Sequence, residues 1–106
     1  MAKYLFRAHY VGRGLEGLLE EGGSSRREAA SKILSSVGGK LECLYFAFGD
    51  DDVVGIFEVP DASTAAAVSL AVNSSGALVS KLTPLITPEE MDVAVKKKLA
   101  FRPPGR

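Results

Sequence analysis

The chain has 106 residues, enough for one domain with one core and too few for two. Hydrophobic residues make up 46% of it and charged residues 25%, the composition of a folding globular chain rather than a disordered or fibrous one. Its 13 basic and 13 acidic side chains cancel, which argues against general binding to nucleic acid or anionic membrane, where a net positive field does the holding.

Residues 3–11 are rich in aromatic and β-branched side chains and are punctuated by Gly12 and Gly14, which predicts a first strand. Leu15, Leu18 and Leu19 then mark a short helical segment that ends at Gly22 and Gly23. The stretch Ser25-Arg26-Arg27-Glu28 has the capping-box pattern, in which a serine hydroxyl and a glutamate carboxylate satisfy free amides at a helix start. Behind it, Ala30, Ile33, Leu34 and Val37 form one apolar stripe as far as Gly38 and Gly39, so a helix is expected there.

Residues 40–48 and 53–59 read as two strands of a hairpin joined by Gly49-Asp50-Asp51-Asp52. Pro60 and Asp61 open an alanine-rich helix that runs to about Asn73, with Asp61 or Ser63 as its cap, and Gly76 closes it. A fourth strand follows over 77–86, and Pro84 marks it as an edge or a strand end. Thr87-Pro88-Glu89-Glu90 starts a last helix over 88–99, with Met91, Ala94, Val95 and Leu99 on one face. Residues 100–106 hold two prolines and read as an extended tail.

This order predicts one α+β domain over 1–106, of ferredoxin-like βαββαβ topology with an extra C-terminal helix and a four-stranded antiparallel sheet. No run of about eighteen apolar residues occurs, so no membrane span is expected. Cys43 is the lone cysteine and has no partner for an internal disulfide, which fits a cytoplasmic setting.

Strand alternation places apolar groups on both faces of such a sheet. Helices cover one face only. On the other, alternation predicts Leu5, Leu44, Phe46 and Ile56, each costing roughly 1.5–3 kcal/mol if left in water. Pairing with a second copy through that face is the expected remedy.

Several stretches together resemble the GYD family, small bacterial proteins of the dimeric α/β-barrel superfamily. They are Lys3-Tyr4-Leu5-Phe6, Glu21-Gly22-Gly23-Ser24-Ser25-Arg26-Arg27, Phe46-Ala47-Phe48-Gly49-Asp50-Asp51-Asp52, Leu70-Ala71-Val72-Asn73, Leu85-Ile86-Thr87-Pro88-Glu89-Glu90 and Arg102-Pro103-Pro104-Gly105. In the motif that names the family, a glycine is followed after one position by tyrosine and aspartate. Gly49 and Asp52 fit it, and Asp51 stands in the place of the tyrosine. The resemblance implies the same sheet and a homodimer, and it assigns no chemistry.

His9 is the only histidine and shares a strand face with Arg7, which makes it the candidate acid or base, with Asp52 as its partner in a dyad. Arg7, His9, Tyr45 and Phe48 are the candidate ligand-binding residues. Glu42 and Glu58 are expected to form a buried ionic lock with Arg7. Asp50, Asp51 and Asp52 lack calcium-loop spacing, so no metal site is expected, and no cofactor motif is present. The glycines and serines at 22–25, with Arg26 and Arg27, have the composition of an anion cradle, but serve equally as local helix-start geometry. Val53-Val54-Gly55-Ile56-Phe57 lacks the exposed aromatics by which such a sheet binds RNA.

The expected function is binding of a small organic molecule between sheet and helices of a homodimer. The alternatives are a cofactor-independent oxygenase- or isomerase-like enzyme using His9, and a structural or protein-interaction module.

Overall fold

The aromatic and branched residues at the start of the chain form the long strand β1 (Ala2–Tyr10) in a computed structural model that describes residues 1–106. Then follow α1 (Gly14–Glu21), α2 (Gly23–Ser36), β2 (Lys40–Phe46), β3 (Val53–Val59), α3 (Ala62–Ser74), β4 (Leu78–Leu85) and α4 (Pro88–Lys96). The sheet order is β2-β3-β1-β4, and every neighbouring pair is antiparallel. Each crossover therefore spans one intervening strand: the first passes over β3 and the second over β1. This is an α+β architecture compatible with a ferredoxin-like fold carrying an extra helix. Pro84 lies on β4, an edge strand, where its missing N–H faces no further neighbour.

Helix α2 rests on β2, and α3 rests on β3 and β4. Between them and the sheet lies the core of Leu34, Phe57, Val59 and Ala65, with Tyr4 and Phe6 packed against it. Tyr4 and Phe57 stack with ring centroids 5.8 Å apart. The central strand β3 shows why these residues form a strand. Val53, Gly55, Phe57 and Val59 are buried, while Val54, Ile56 and Glu58 between them face the other side. Only 8 of 106 residues are fully buried, so a single copy leaves much of its apolar surface incompletely covered.

The sheet departs from simple alternation at one place. Leu41 pairs with Phe57 and Cys43 with Ile56, so Glu42 is an extra residue in a β-bulge. A bulge shifts the side-chain parity of everything after it. Leu44 and Phe46 consequently lie opposite Gly55 and Val53 on the helix-covered face, contrary to the expectation that they are exposed on the other. The face without helices carries Leu5, Cys43, Tyr45, Val54, Ile56 and Val79 instead. The bulge also redirects the expected ionic lock. Glu42 accepts from Lys3 at 3.0 Å, and Arg7 forms no ion pair.

The starts of α3 and α4 follow local chemistry. Asp61 caps α3, its carboxylate accepting from the Thr64 amide at 2.9 Å and from the Thr64 hydroxyl at 2.7 Å. Thr87 and Glu90 form the reciprocal box that opens α4, with Pro88 at the first helical position. At α2, by contrast, the box expected from Ser25 to Glu28 does not form. Gly22 turns the chain at φ 81°, a left-handed value that suits glycine, and the helix begins three residues earlier without a side-chain cap. Helix α4 also stops at Lys96 rather than at residue 99, because Lys97 is already extended.

Candidate functional site

Because α2 and α3 settle on different strands and scarcely touch each other, a cleft opens between them with the sheet as its floor. Its enclosed volume is about 80 Å³, and Phe6, Ala30, Ile33, Leu41, Leu44 and Val72 are among its walls. No side chain lining it carries a polar atom. Two small residues make the space. Ala30 contributes one methyl from α2, and Gly55 contributes nothing from β3. A Cβ added at Gly55 would stand 2.7 Å from the Cys43 carbonyl oxygen and 3.0 Å from Leu44, so the site has no room for any side chain.

Toward the end of β1 the apolar walls continue past Phe46 and Leu78 to Tyr10 and Arg26. Here the lining gains a hydroxyl and a guanidinium. Burial pushes the Tyr10 phenol above its ordinary value, and the nearby Arg26 cation opposes that shift without cancelling it. The phenol therefore stays protonated as a donor throughout the physiological range. Arg26 itself reaches the Glu21 carboxylate at 3.4 Å, a long contact that leaves other donors of its fork free. The whole is an apolar slot whose mouth holds the Tyr10 hydroxyl and the Arg26–Glu21 ion pair.

The residues expected to bind or catalyse lie elsewhere. Arg7 and His9 are exposed on the sheet face opposite the helices, and Tyr45, 67% exposed, shares that face. Phe48 stands wholly in solvent beyond β2. None of the four lines the cleft. His9 takes part in no ion pair, so no carboxylate orients it as an acid or base. Asp52 is engaged on the backbone instead. Its carboxylate accepts from the Tyr10 amide at 2.8 Å, and its own amide donates to the Ala8 carbonyl at 2.9 Å. It thereby fastens the hairpin turn to the end of β1. Asp50 and Asp51 do not converge with it, and no group of three or more His, Cys, Asp or Glu side chains comes together anywhere. Cys43 is a free, partly exposed thiol beside Ile56. No helix is long and apolar enough to cross a membrane.

The sequence shows the stripe on α2 and an expected ligand between sheet and helices, but not which residues line the space. The missed signal was the pair of small residues Ala30 and Gly55, facing Val68 and Val72 of α3 where two helices and a sheet would otherwise close.

The family model described as GYD domain matches residues 4–95. No curated protein and no solved structure matches the chain.

Proposed function

The chain belongs to the GYD domain family, and on that premise we propose that it is a binding module. It holds a small, mostly apolar organic molecule in the cleft between sheet and helices, with one acceptor or anionic group at the cleft's mouth. The observation that carries this reading is the cleft's lining, entirely apolar along its length and meeting Arg26 and Tyr10 at one end. Water entering the apolar part finds no hydrogen-bond partners there, so a space of this kind is filled most favourably by carbon. Its enclosed volume of about 80 Å³ lies below the usual range of drug-sized sites, so the ligand is a small one or extends out through the open mouth. The partly covered face bearing Leu5, Tyr45 and Ile56 supports a homodimer closed through the sheets. The free Cys43 thiol fits a reducing cytoplasm.

Thermal unfolding against a panel of apolar acids, each paired with its neutral amide, tests the reading. A ligand that binds the folded state alone stabilises it by about 2.7 kcal/mol when present at a hundred times its dissociation constant. The acid is expected to outperform the amide in the wild type, and Arg26→Gln to remove that preference. Ala30→Phe fills the cleft and is expected to abolish stabilisation by any ligand while the protein still folds. If no member of the panel raises the midpoint, or if Ala30→Phe binds like wild type, the cleft is not the site.

A further inference from the structure

Helix α4 and residues 97–106 form an arm with little packing against the rest of the chain. All nine residues of the helix are exposed, and it makes no substantial contact with any other element. Its capping box and Pro88 start it well, yet an isolated helix of so few turns is marginal in water and depends on burying a face. It has a face to bury. Met91 is 49% and Val95 72% exposed, and beyond the helix Leu99 and Phe101 are 83% and 75% exposed. The arm also shows in the shape of the molecule. The radius of gyration is 16.8 Å and the longest extent 56 Å, against about 13 Å for the radius of a compact chain of this length.

The end of the arm is basic. Lys96, Lys97, Lys98, Arg102 and Arg106 have no carboxylate partner in the chain. The opposite charge lies at the far end of the sheet. Leu85, at the root of the arm, pairs with Lys3 near the start of β1, whereas Asp52 holds the hairpin turn beside Tyr10 at its finish. Seven residue steps separate the two, about 23 Å at the usual rise. At that far end Glu20, Asp50 and Asp51 have no cation, and Leu15, Leu19 and Phe48 stand exposed beside them in sequence. Apolar groups and unpaired charge thus occur together at both places, with opposite sign.

We propose that the arm of one protomer docks on the far end of a second copy of this chain, its apolar stripe against Leu15, Leu19 and Phe48 and its lysines against Glu20, Asp50 and Asp51. A twofold axis satisfies both arms and both far ends at once, so the exchange is reciprocal and closed. The contact is distinct from the ligand cleft and from pairing through the open sheet face, and does not depend on either.

Zero-length carbodiimide cross-linking of a mixture of isotopically light and heavy full-length chain reads the contact directly. Linked peptides joining Lys96–Lys98 to Glu20, Asp50 or Asp51 are expected, and half of them carry one light and one heavy partner. Links confined to a single chain, or no links between these segments, overturn the proposal. Sedimentation of two charge-reversed variants adds an independent test. Reversing Lys96, Lys97 and Lys98 to Glu, or Glu20, Asp50 and Asp51 to Lys, is expected to weaken self-association about tenfold or more, because each variant opposes like charges. Mixing the two variants is expected to restore association to near the wild-type value, since both reciprocal contacts then regain opposite sign. Variants that associate as tightly as wild type, or a mixture that shows no rescue, also overturn it.

Discussion

Single residues in this chain act mainly through size. Gly55 is buried on the central strand, and a side chain there has nowhere to go without moving the β2 backbone at Cys43. Gly55→Ala is therefore expected to destabilise the protein by about 1–3 kcal/mol, the usual cost of overpacking. Denaturant unfolding measures this, and an unchanged midpoint would mean that β2 and β3 sit farther apart than described. The sequence announces Gly55 as a glycine within a strand, a pattern that often marks a close backbone approach. What it approaches becomes visible only once β2 is in register beside it. Asp52 was legible in a similar, partial way. Its position after the turn singled it out, but its carboxylate serves the Tyr10 amide, a structural bond that requires no histidine.

At the scale of the element, the helix starts at Asp61 and Thr87 were readable because capping is local: a side chain meets amides two or three residues away. The start of α2 was not, because a left-handed glycine ends one helix and admits the next without the box. The bulge at Glu42 is the larger failure of local reading. Nothing in Leu41-Glu42-Cys43-Leu44 distinguishes a regular strand from a bulged one. Only the demand that Leu41, Leu44 and Phe46 all meet the helices selects the bulge.

Capping also sets a pH dependence. Hydrogen bonds from the Thr64 hydroxyl and amide, and from the Ser63 hydroxyl, hold the Asp61 carboxyl below its ordinary 3.8. Those from the Thr87 amide and hydroxyl lower Glu90 likewise. A carboxyl whose value is depressed by folding stabilises the fold fully above its unfolded value, and that contribution is lost as pH falls through the folded value. Asp61 anchors α3, which packs on the sheet, so its loss registers in global unfolding. Glu90 belongs to the unpacked α4, so its titration frays that helix alone. Between neutral pH and about pH 5 neither group changes the melting temperature, and below about pH 4 Asp61 does. Asp61→Asn keeps an acceptor at the cap and removes the titration. Its melting temperature is expected to fall less steeply than wild type below pH 4, by calorimetry. Parallel acid limbs would show that Asp61 is not the group concerned.

The whole molecule is described by what its helices fail to cover. Composition and alternation were enough to foresee a sheet with one uncovered apolar face, since both depend only on which residue types recur at period two. They mistook two of the residues there, and the lining of the space expected between sheet and helices stayed hidden, because it arises from how far apart α2 and α3 come to rest. The corrected face has Leu5, Val54 and Ile56 along its middle strands, flanked by Tyr45 and Val79. Lys3, Glu42 and Arg7 share it, so the face is an apolar strip with charged margins, the anatomy of a protein interface. Ile56 lies near the centre of that strip, where a charge is desolvated most severely on pairing. Ile56→Lys leaves the Leu34 and Phe57 core untouched, because its side chain points away from the helices. The expected outcome is a folded chain with a near-normal circular dichroism spectrum whose sheet-to-sheet dissociation constant rises about a hundredfold. Sedimentation in about 0.5 M salt separates this contact from the charged one made by the arm, which salt of that strength screens. A wild-type chain that stays monomeric in that salt at micromolar concentration would leave the open face without its partner. The strip would then be ordinary exposed surface, and the dimer would have to rest on the arms alone.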